Sequence, residues 1–217
     1  IIIHTDRLEL APHRLNNESA AALPLAGLTA YNALINKGEL HSVKKVLISG
    51  VGGGVAQFAF QFSLAIGAPT WITSSKENVL QQCKELGAKK GVSYKNPEEI
   101  KSLSKSMQGF DVIIDSAGGN GLNTLMESFA PGGKLIIYGA TMGLSNTLNL
   151  RNIFANQLSL IGNTMGSNQD FKKILEFVLE HKIQPIIDKA YSLNNAEEAF
   201  IRMKLEQHFG KIIIQIG

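Results

Sequence analysis

One cysteine in 217 residues leaves no partner for an internal disulfide, so the fold must hold without covalent staples. An unpaired thiol fits a reducing compartment, and a cytoplasmic protein is expected. No apolar run approaches the roughly 18 residues of a membrane span, and no membrane partner is expected. The opening Ile1-Ile2-Ile3-His4 has neither the basic start nor the apolar length of a signal peptide. It also starts without methionine inside an apolar run, as a piece cut from a longer chain would. Charge is scarce as well: 18% of residues are Asp, Glu, Lys or Arg, against roughly 25% in an average soluble domain. Lys and Arg number 21 against 18 Asp and Glu, a net charge of +3 with no dense basic run. That balance is too mild for an obligate nucleic-acid binder. A surface so poor in charge is expected to be partly covered.

Apolar residues and glycine are what the chain does have. It is 44% hydrophobic and holds 21 glycines with no repeating period. The length suits one large domain or two small ones. Its first forty or so residues read as a loop around Pro12, a short helix from Ser19 to Leu23 stopped by Pro24, and a helix from Leu25 to Asn36 ended by Lys37-Gly38. From Lys45 a strand–helix alternation begins. Val46-Leu47-Ile48 is a continuous apolar run, as a strand buried on both faces should be. A glycine cluster and a helix from Val55 to Ile66 follow. Further strands are expected at Thr70–Thr73, Gly91–Tyr94, Asp111–Asp115, Lys134–Tyr138, Leu158–Ile161 and Lys211–Ile216. Helices are expected at Glu77–Leu86, from Asn96-Pro97 through Met107, at Gly121–Phe129, at Gln169–His181, and around Ala196 to Met203. Such alternation predicts an α/β fold, a Rossmann-type doubly wound parallel sheet. Ligands of such sheets bind at the carboxyl ends of the strands, where the strand order reverses.

The strongest local signal is KVLISGVGGGVA, between a buried strand and a helix. Gly50, Gly53 and Ala56 are three apart, although Val55 breaks the literal GxGxxG. Gly50 permits a tight turn, Gly52, Gly53 and Gly54 let backbone amides approach a pyrophosphate, and Ala56 keeps helix and strand close. After the second strand stand Thr73, Ser74, Ser75 and Lys76. Hydroxyls and a lysine suit a 2′-phosphate, with no carboxylate to repel it. Glu77, one step on, keeps NAD open, and the same residues could simply start the next helix. Asp115 ends a strand and could touch a ligand or hold the turn before Gly118-Gly119. Other chemistry finds little support. The histidines show no ligand spacing, and Cys83 sits on a helix's apolar face. No GxxxxGK[ST] loop, GxSxG elbow or Tyr-x-x-x-Lys pair is present. A methyltransferase on a similar sheet would want an acid after the second strand.

With those segments in place, the chain resembles a medium-chain dehydrogenase/reductase, of the quinone-oxidoreductase and zinc-type alcohol dehydrogenase-like branch. Carrying segments are AALPLAGLTAYNAL, KVLISGVGGGVA, CKELGAKKGVSY, FDVIIDSAGGN, GGKLIIYGATMG, LSLIGNTMGS and the tail LNNAEEAF with FGKIIIQIG. The resemblance implies that Gly52 to Ala56, Val55 included, hold the pyrophosphate of NADP(H). It places Ser74, Ser75 and Lys76 on the 2′-phosphate and Tyr94 beside the adenosine. Many relatives carry a lysine where this chain has Val79. Ser116 and Ala117 would lie near the nicotinamide ribose; Tyr138, Gly139 and Ala140, with Met165 and Gly166, would approach the nicotinamide. Met165 and Tyr138 also suit ordinary packing. Residues 1–22 would be a remnant of a GroES-like catalytic domain, 23–190 the dinucleotide-binding domain, and 191–217 a tail returning toward the missing part. The expected function is hydride transfer between NADPH and a quinone, enone, aldehyde or alcohol, with a small-molecule substrate. No catalytic residue is assigned, and zinc is not supported by this chain. The chain alone is expected to have little or no activity, and either to form a homodimer through sheet edges near Thr147 to Leu150 or to aggregate. The alternative is an NADPH-binding sensory or structural protein without turnover.

Overall fold

The computed structural model describes residues 2–5, 8–145 and 147–216. Six parallel strands form the main sheet: β1 (Val46–Ile48), β2 (Thr70–Thr73), β3 (Lys90–Val92), β4 (Phe110–Asp115), β5 (Phe129–Ile137) and β6 (Ser159–Gly162). Their spatial order is β3-β2-β1-β4-β5-β6. The order reverses between β1 and β4, the crevice where dinucleotides bind in doubly wound folds. Two further strands, β7 (Ile187–Ser192) and β8 (Lys211–Gln215), pair only with each other, also in parallel.

Helices cover both faces. They are α1 (Asn17–Ala22), α2 (Pro24–Tyr31), α3 (Gly54–Ala65), α4 (Glu77–Glu85), α5 (Pro97–Ser106), α6 (Gly121–Met126), α7 (Leu150–Ala155), α8 (Asn168–Glu180) and α9 (Ala196–Lys204). Strand alternation splits the core in two. Val46, Ile48, Ile72, Val112, Ile114 and Ile136 pack with α2, α3 and α8, through Phe58, Phe62 and Ile174 among others. Leu47, Ile113 and Leu135 face the opposite way, onto Ile100, Leu103, Leu122 and Leu125 of α5 and α6. With both faces covered, the central strands read as unbroken apolar runs.

Several details differ from expectation. The helix read from Leu25 to Asn36 is α-helical only to Tyr31; Asn32–Lys37 is a π-helix. Periodicity does not reveal one extra residue per turn. The helix read to Phe129 stops at Met126, and Phe129 already belongs to β5, paired with Phe110. Helix α7 and strand β7 were not foreseen. The segment from Thr147 to Leu150 is not a sheet edge. Asn149 caps α7 there, its side chain accepting from the Asn152 amide, and Leu150 is the first helical residue. The free edges of the main sheet are β3 and β6. Strand β8 is less enclosed than its apolar letters suggest: only Ile213 is buried, at 8% exposure. Among the described residues, no helix is long and apolar enough to cross a membrane.

Candidate functional site

Because all six strands run the same way, their carboxyl ends share one edge. Register keeps those ends level. Ile48 lies between Ile72 and Ile114, Thr73 faces Val92, Asp115 faces Ile137, and Ile137 faces Gly162. The sequence-picked residues leave these ends in the spatial order Tyr94, Ser74 to Lys76, Gly50 to Ala56, Ser116 and Ala117, Tyr138 to Ala140, then Met165 and Gly166. Five inter-strand steps carry that row over about 24 Å.

The β1–α3 junction sits mid-row. Gly50 turns at φ +67°, a backbone region that disfavours a Cβ. Thr73 pins the turn from β2: its Oγ1 accepts from the Gly50 amide at 3.0 Å and its carbonyl from Val51 at 2.9 Å. Gln57 donates to the Val51 carbonyl at 2.7 Å from the far side. Gly53 is the N-cap of α3 and supplies no side-chain cap. A Cβ on Gly53 would meet nothing within 4 Å, so the protein's own packing does not demand glycine there. Open space above uncapped helix amides suits an anionic ligand lying on the backbone. At Gly54 the neighbour is a side chain: a Cβ there would stand 2.8 Å from Lys211 Cδ and 3.7 Å from its Nζ. Above Gly52 lies the loop before β8, whose Gly210 amide donates to the Gly52 carbonyl at 3.4 Å. Val55 packs against the core, and Ala56, at 1% exposure, lets α3 lie close to the sheet.

At the β2 end, Ser74 is buried and its Oγ accepts from the Lys76 amide at 3.2 Å, so it helps start α4. Tyr94 donates to Ser75 Oγ at 2.9 Å and ties the β3 end to the β2 end. Lys76, the N-cap of α4, is half-buried, and its ammonium has no ion pair among the described residues. Val79 is a core residue at 1% exposure.

Asp115 closes β4. One carboxylate oxygen accepts from the Gly118 amide at 2.8 Å, which is the turn-holding role. The other is buried without a partner. The β4 and β5 loops then interlock: Thr141 donates to the Ser116 carbonyl at 3.0 Å and Met142 to that of Ala117 at 2.8 Å. A Cβ on Gly139 would meet the Ser116 carbonyl at 3.0 Å, so this close approach needs glycine. Burial pushes the Tyr138 hydroxyl up to about 12, beside Ser116 and the Asp115 charge. Ala140 is exposed. Beyond β6, Met165 is 46% exposed at φ +41°. Asn32 of the π-helix holds it, donating to the Met165 carbonyl at 2.8 Å. Asn36 donates to Asn32 and to Asp170, each at 3.0 Å, and Asp170 completes a capping box with Ser167. Gly166 abuts Leu28, where a Cβ would lie 2.8 Å from Cδ1.

Sequence reasoning missed Gln57 and Asn32; it named Thr73 only among the hydroxyls of the Thr73 to Lys76 run and Lys211 only as the start of the last strand. Among the described residues, no three His, Cys, Asp or Glu side chains gather to hold a metal ion. Cys83 is buried in the core, which pushes its thiol up to about 12. The described residues thus offer no zinc centre.

The profile of the zinc-binding dehydrogenases matches residues 54–180. A zinc-type alcohol dehydrogenase-like protein of Leptosphaeria maculans is 33% identical over 227 residues, covering 100% of this chain and 63% of that protein. A mitochondrial NAD(P)H oxidoreductase of Danio rerio is 27% identical over 240 residues, covering 100% of this chain and 61% of that protein. A crystal structure of an NAD-dependent alcohol dehydrogenase superposes with a TM-score of 0.89 at 32% identity, covering 96% of this chain and 62% of that one. The chain thus spans about three fifths of the length of the relatives it matches.

Proposed function

The chain belongs to the zinc-binding dehydrogenase family of medium-chain dehydrogenases/reductases, and on that premise we propose that it is the NADP(H)-binding part of an oxidoreductase. The proposed reaction moves a hydride between NADPH and a quinone, enone, aldehyde or alcohol. One observation carries the reading: the candidate segments stand in dinucleotide order along one sheet edge, with the open Gly53 junction in the middle.

A bound nicotinamide would supply the hydride donor or acceptor. This chain's part is to position and shield it. The amides at the start of α3 would take the pyrophosphate. Ser74, Ser75 and Lys76 would meet the 2′-phosphate, with Tyr94 at the adenosine. A Lys76 with no ion pair among the described residues, and the absence of a carboxylate at the end of β2, support NADPH over NADH. Ser116 and Ala117 would border the ribose. Tyr138 to Ala140 and Met165-Gly166 would border the ring. Tyr138 keeps its proton at neutral pH, so it would serve as a hydrogen-bond donor and not as a base.

We read residues 1–22 as the end of a catalytic domain, 23–190 as the cofactor domain and 191–217 as a returning tail; β7 crosses the last boundary. The proposed assembly is a homodimer. Calorimetric titration with NADPH and NADH tests the cofactor reading. NADPH should bind more tightly, and Lys76→Ala should remove about 1.5–3 kcal/mol of that binding. Equal affinities, or an unaffected variant, would reject the phosphate assignment. Assays over quinones and aldehydes, beside light scattering for mass, should find little turnover by this chain alone. Turnover near the median enzyme rate of about 10 per second by a monomer would overturn the domain reading.

A further inference from the structure

The amino ends of the strands form a second face, opposite the candidate site. All six parallel strands start there, and α3, α4 and α5, which lead into β2, β3 and β4, end there. So does the π-helix that precedes β1. Their loops adjoin one another. A Cβ on Gly67, after α3, would stand 3.8 Å from Ser42 Cβ, and one on Gly87, after α4, 3.5 Å from Leu64 Cδ2 of α3. After α5, the Met107 carbonyl accepts from Lys45 Nζ at 2.7 Å. No run of the sequence is densely basic, yet the fold gathers lysines on this face. Lys37, Lys84, Lys89, Lys90 and Lys105 are exposed and Lys44 is half-buried. None of the six ammonium groups has a hydrogen bond or ion pair among the described residues. The Lys89 amide donates to Thr70, which lies level with Val46; Val46 lies level with Val112, and Val112 with Lys134. Four inter-strand steps therefore spread the charge over about 19 Å.

Carboxylates on this face are fewer. Glu39 pairs with Lys134 at 2.7 Å, Asp111 accepts from the Lys45 amide at 2.6 Å, and Glu85 accepts from Gln81 at 2.8 Å. Glu180 and Lys182, at the end of α8, offset each other. The excess here is larger than the +3 of the whole chain. Helix dipoles favour a lysine in a last turn, which accounts for Lys37, Lys84 and Lys105. They do not account for Lys44, Lys89 and Lys90, which lead into β1 and β3. Two apolar side chains stand out among the lysines, Val43 at 74% and Leu86 at 52% exposure.

We propose that this face docks on an anionic lipid surface, with the lysines over the headgroups and Val43 and Leu86 entering the interface. A second copy of the chain would bring the same positive charge and be repelled. Residues 37–45, 84–90 and 105–111 contain no arginine. The face therefore lacks the planar forks that grip single carboxylates or phosphates, and offers point charges suited to a diffuse negative surface. Apolar anchors beside a polybasic patch are the two signals that together hold a protein at such a surface. Docked this way, the row at the carboxyl ends faces away from the lipid. The proposal stands whether or not that row binds a dinucleotide.

Co-sedimentation with vesicles tests it, using phosphatidylcholine alone or with phosphatidylserine. The chain should bind only the second kind, and should release it in about 1 M salt, where screening acts within about 3 Å. Lys89→Glu with Lys90→Glu should weaken binding about 25-fold or more, at about fivefold per lysine. Lys84→Glu with Lys105→Glu should repeat that loss from two other loops. Lys95→Glu with Lys204→Glu changes the net charge equally away from this face, and should cost far less. Val43→Ser with Leu86→Ser should weaken vesicle binding and leave binding to soluble polyglutamate unchanged. Equal binding to both kinds of vesicle would overturn the proposal. So would equal losses from the lysine pairs on and off the face, which would reduce it to net charge. Polyglutamate bound as tightly as the vesicles, with the serine pair affecting neither, would assign the face to an acidic protein instead.

Discussion

The main sheet and the β7–β8 pair are both parallel, yet they are held by different forces. In the main sheet the central residues Val46, Leu47, Ile48, Val112, Ile113, Ile114, Leu135 and Ile136 all have 0% exposure. Two helical layers enclose them, and the strands need no polar help. In the β7–β8 pair the only buried hydrophobic residues are Tyr191 and Ile213, at 7% and 8% exposure. What holds that region is largely polar. Arg202 grips Asp188 with two bonds, at 2.5 and 2.9 Å, and the Phe209 amide adds a third at 3.2 Å. Gln215 donates to Glu18 of α1 at 2.6 Å, and Lys189 lies 4.7 Å from the Tyr191 ring centre. Around them Leu193, Phe200, Ile201, Met203 and Leu205 are at least half exposed. One region is stabilised by enclosure and the other by clamps, and the candidate site lies where they meet.

That contrast can be broken from either side. The largest effect is expected from Phe60→Ala. Phe60 is fully buried, and emptying its site should cost about 3–5 kcal/mol in denaturant unfolding. A loss below about 1 kcal/mol would mean that the enclosed layer is not what carries stability. Next comes Gly53→Val. Its φ of −79° and the space at its Cβ allow the side chain, so the fold should melt normally. Dinucleotide affinity should nevertheless fall about a hundredfold or more by calorimetry. Wild-type affinity in a folded variant would place the cofactor elsewhere.

Asn32→Ala should cost less, about 1–3 kcal/mol, by leaving the Met165 carbonyl without its donor. The sharper readout is amide exchange, which should quicken between residues 163 and 167 and not in β1. Uniform exchange across both would mean that Asn32 supports packing in general. The smallest effect concerns acid. The Arg202 bonds hold the Asp188 carboxyl below its ordinary range. Its contribution is therefore complete above the unfolded value near 3.9 and is lost as pH falls through the lower folded value. Thermal scans from pH 6 to pH 2 should show Asp188→Asn losing less than wild type across that window. Parallel curves would remove Asp188 from the clamp.

The same contrast decided what could be read in the letters. Val46-Leu47-Ile48 and Asp111-Val112-Ile113-Ile114-Asp115 announced strands because enclosure on both faces demands continuous apolar runs. Strand β7, Ile-Asp-Lys-Ala-Tyr-Ser, gave no such notice, since a clamp of Asp188 and Arg202 leaves no periodicity. Helix α7 buries no residue and so carries no apolar face to detect. The glycine junction was legible as a local pattern, and Gly50 and Gly53 have the geometry expected of it. The side chain of Lys211 beside Gly54 comes from far along the chain and could not be read from the junction itself. Thr73, Gln57 and Asn32 act through single long-range or cross-turn bonds to backbone carbonyls or amides. Local composition does not encode such bonds.

The link between Gly52 and Gly210 also has a consequence in time. The glycine junction leaves the ribosome 158 residues before the loop that bonds to it. At about 5–20 residues per second, roughly 8–30 s separate the two. Throughout that interval the Gly52 carbonyl lacks its Gly210 donor, so the contact between the junction and the loop before β8 forms only after every strand of the main sheet has been made.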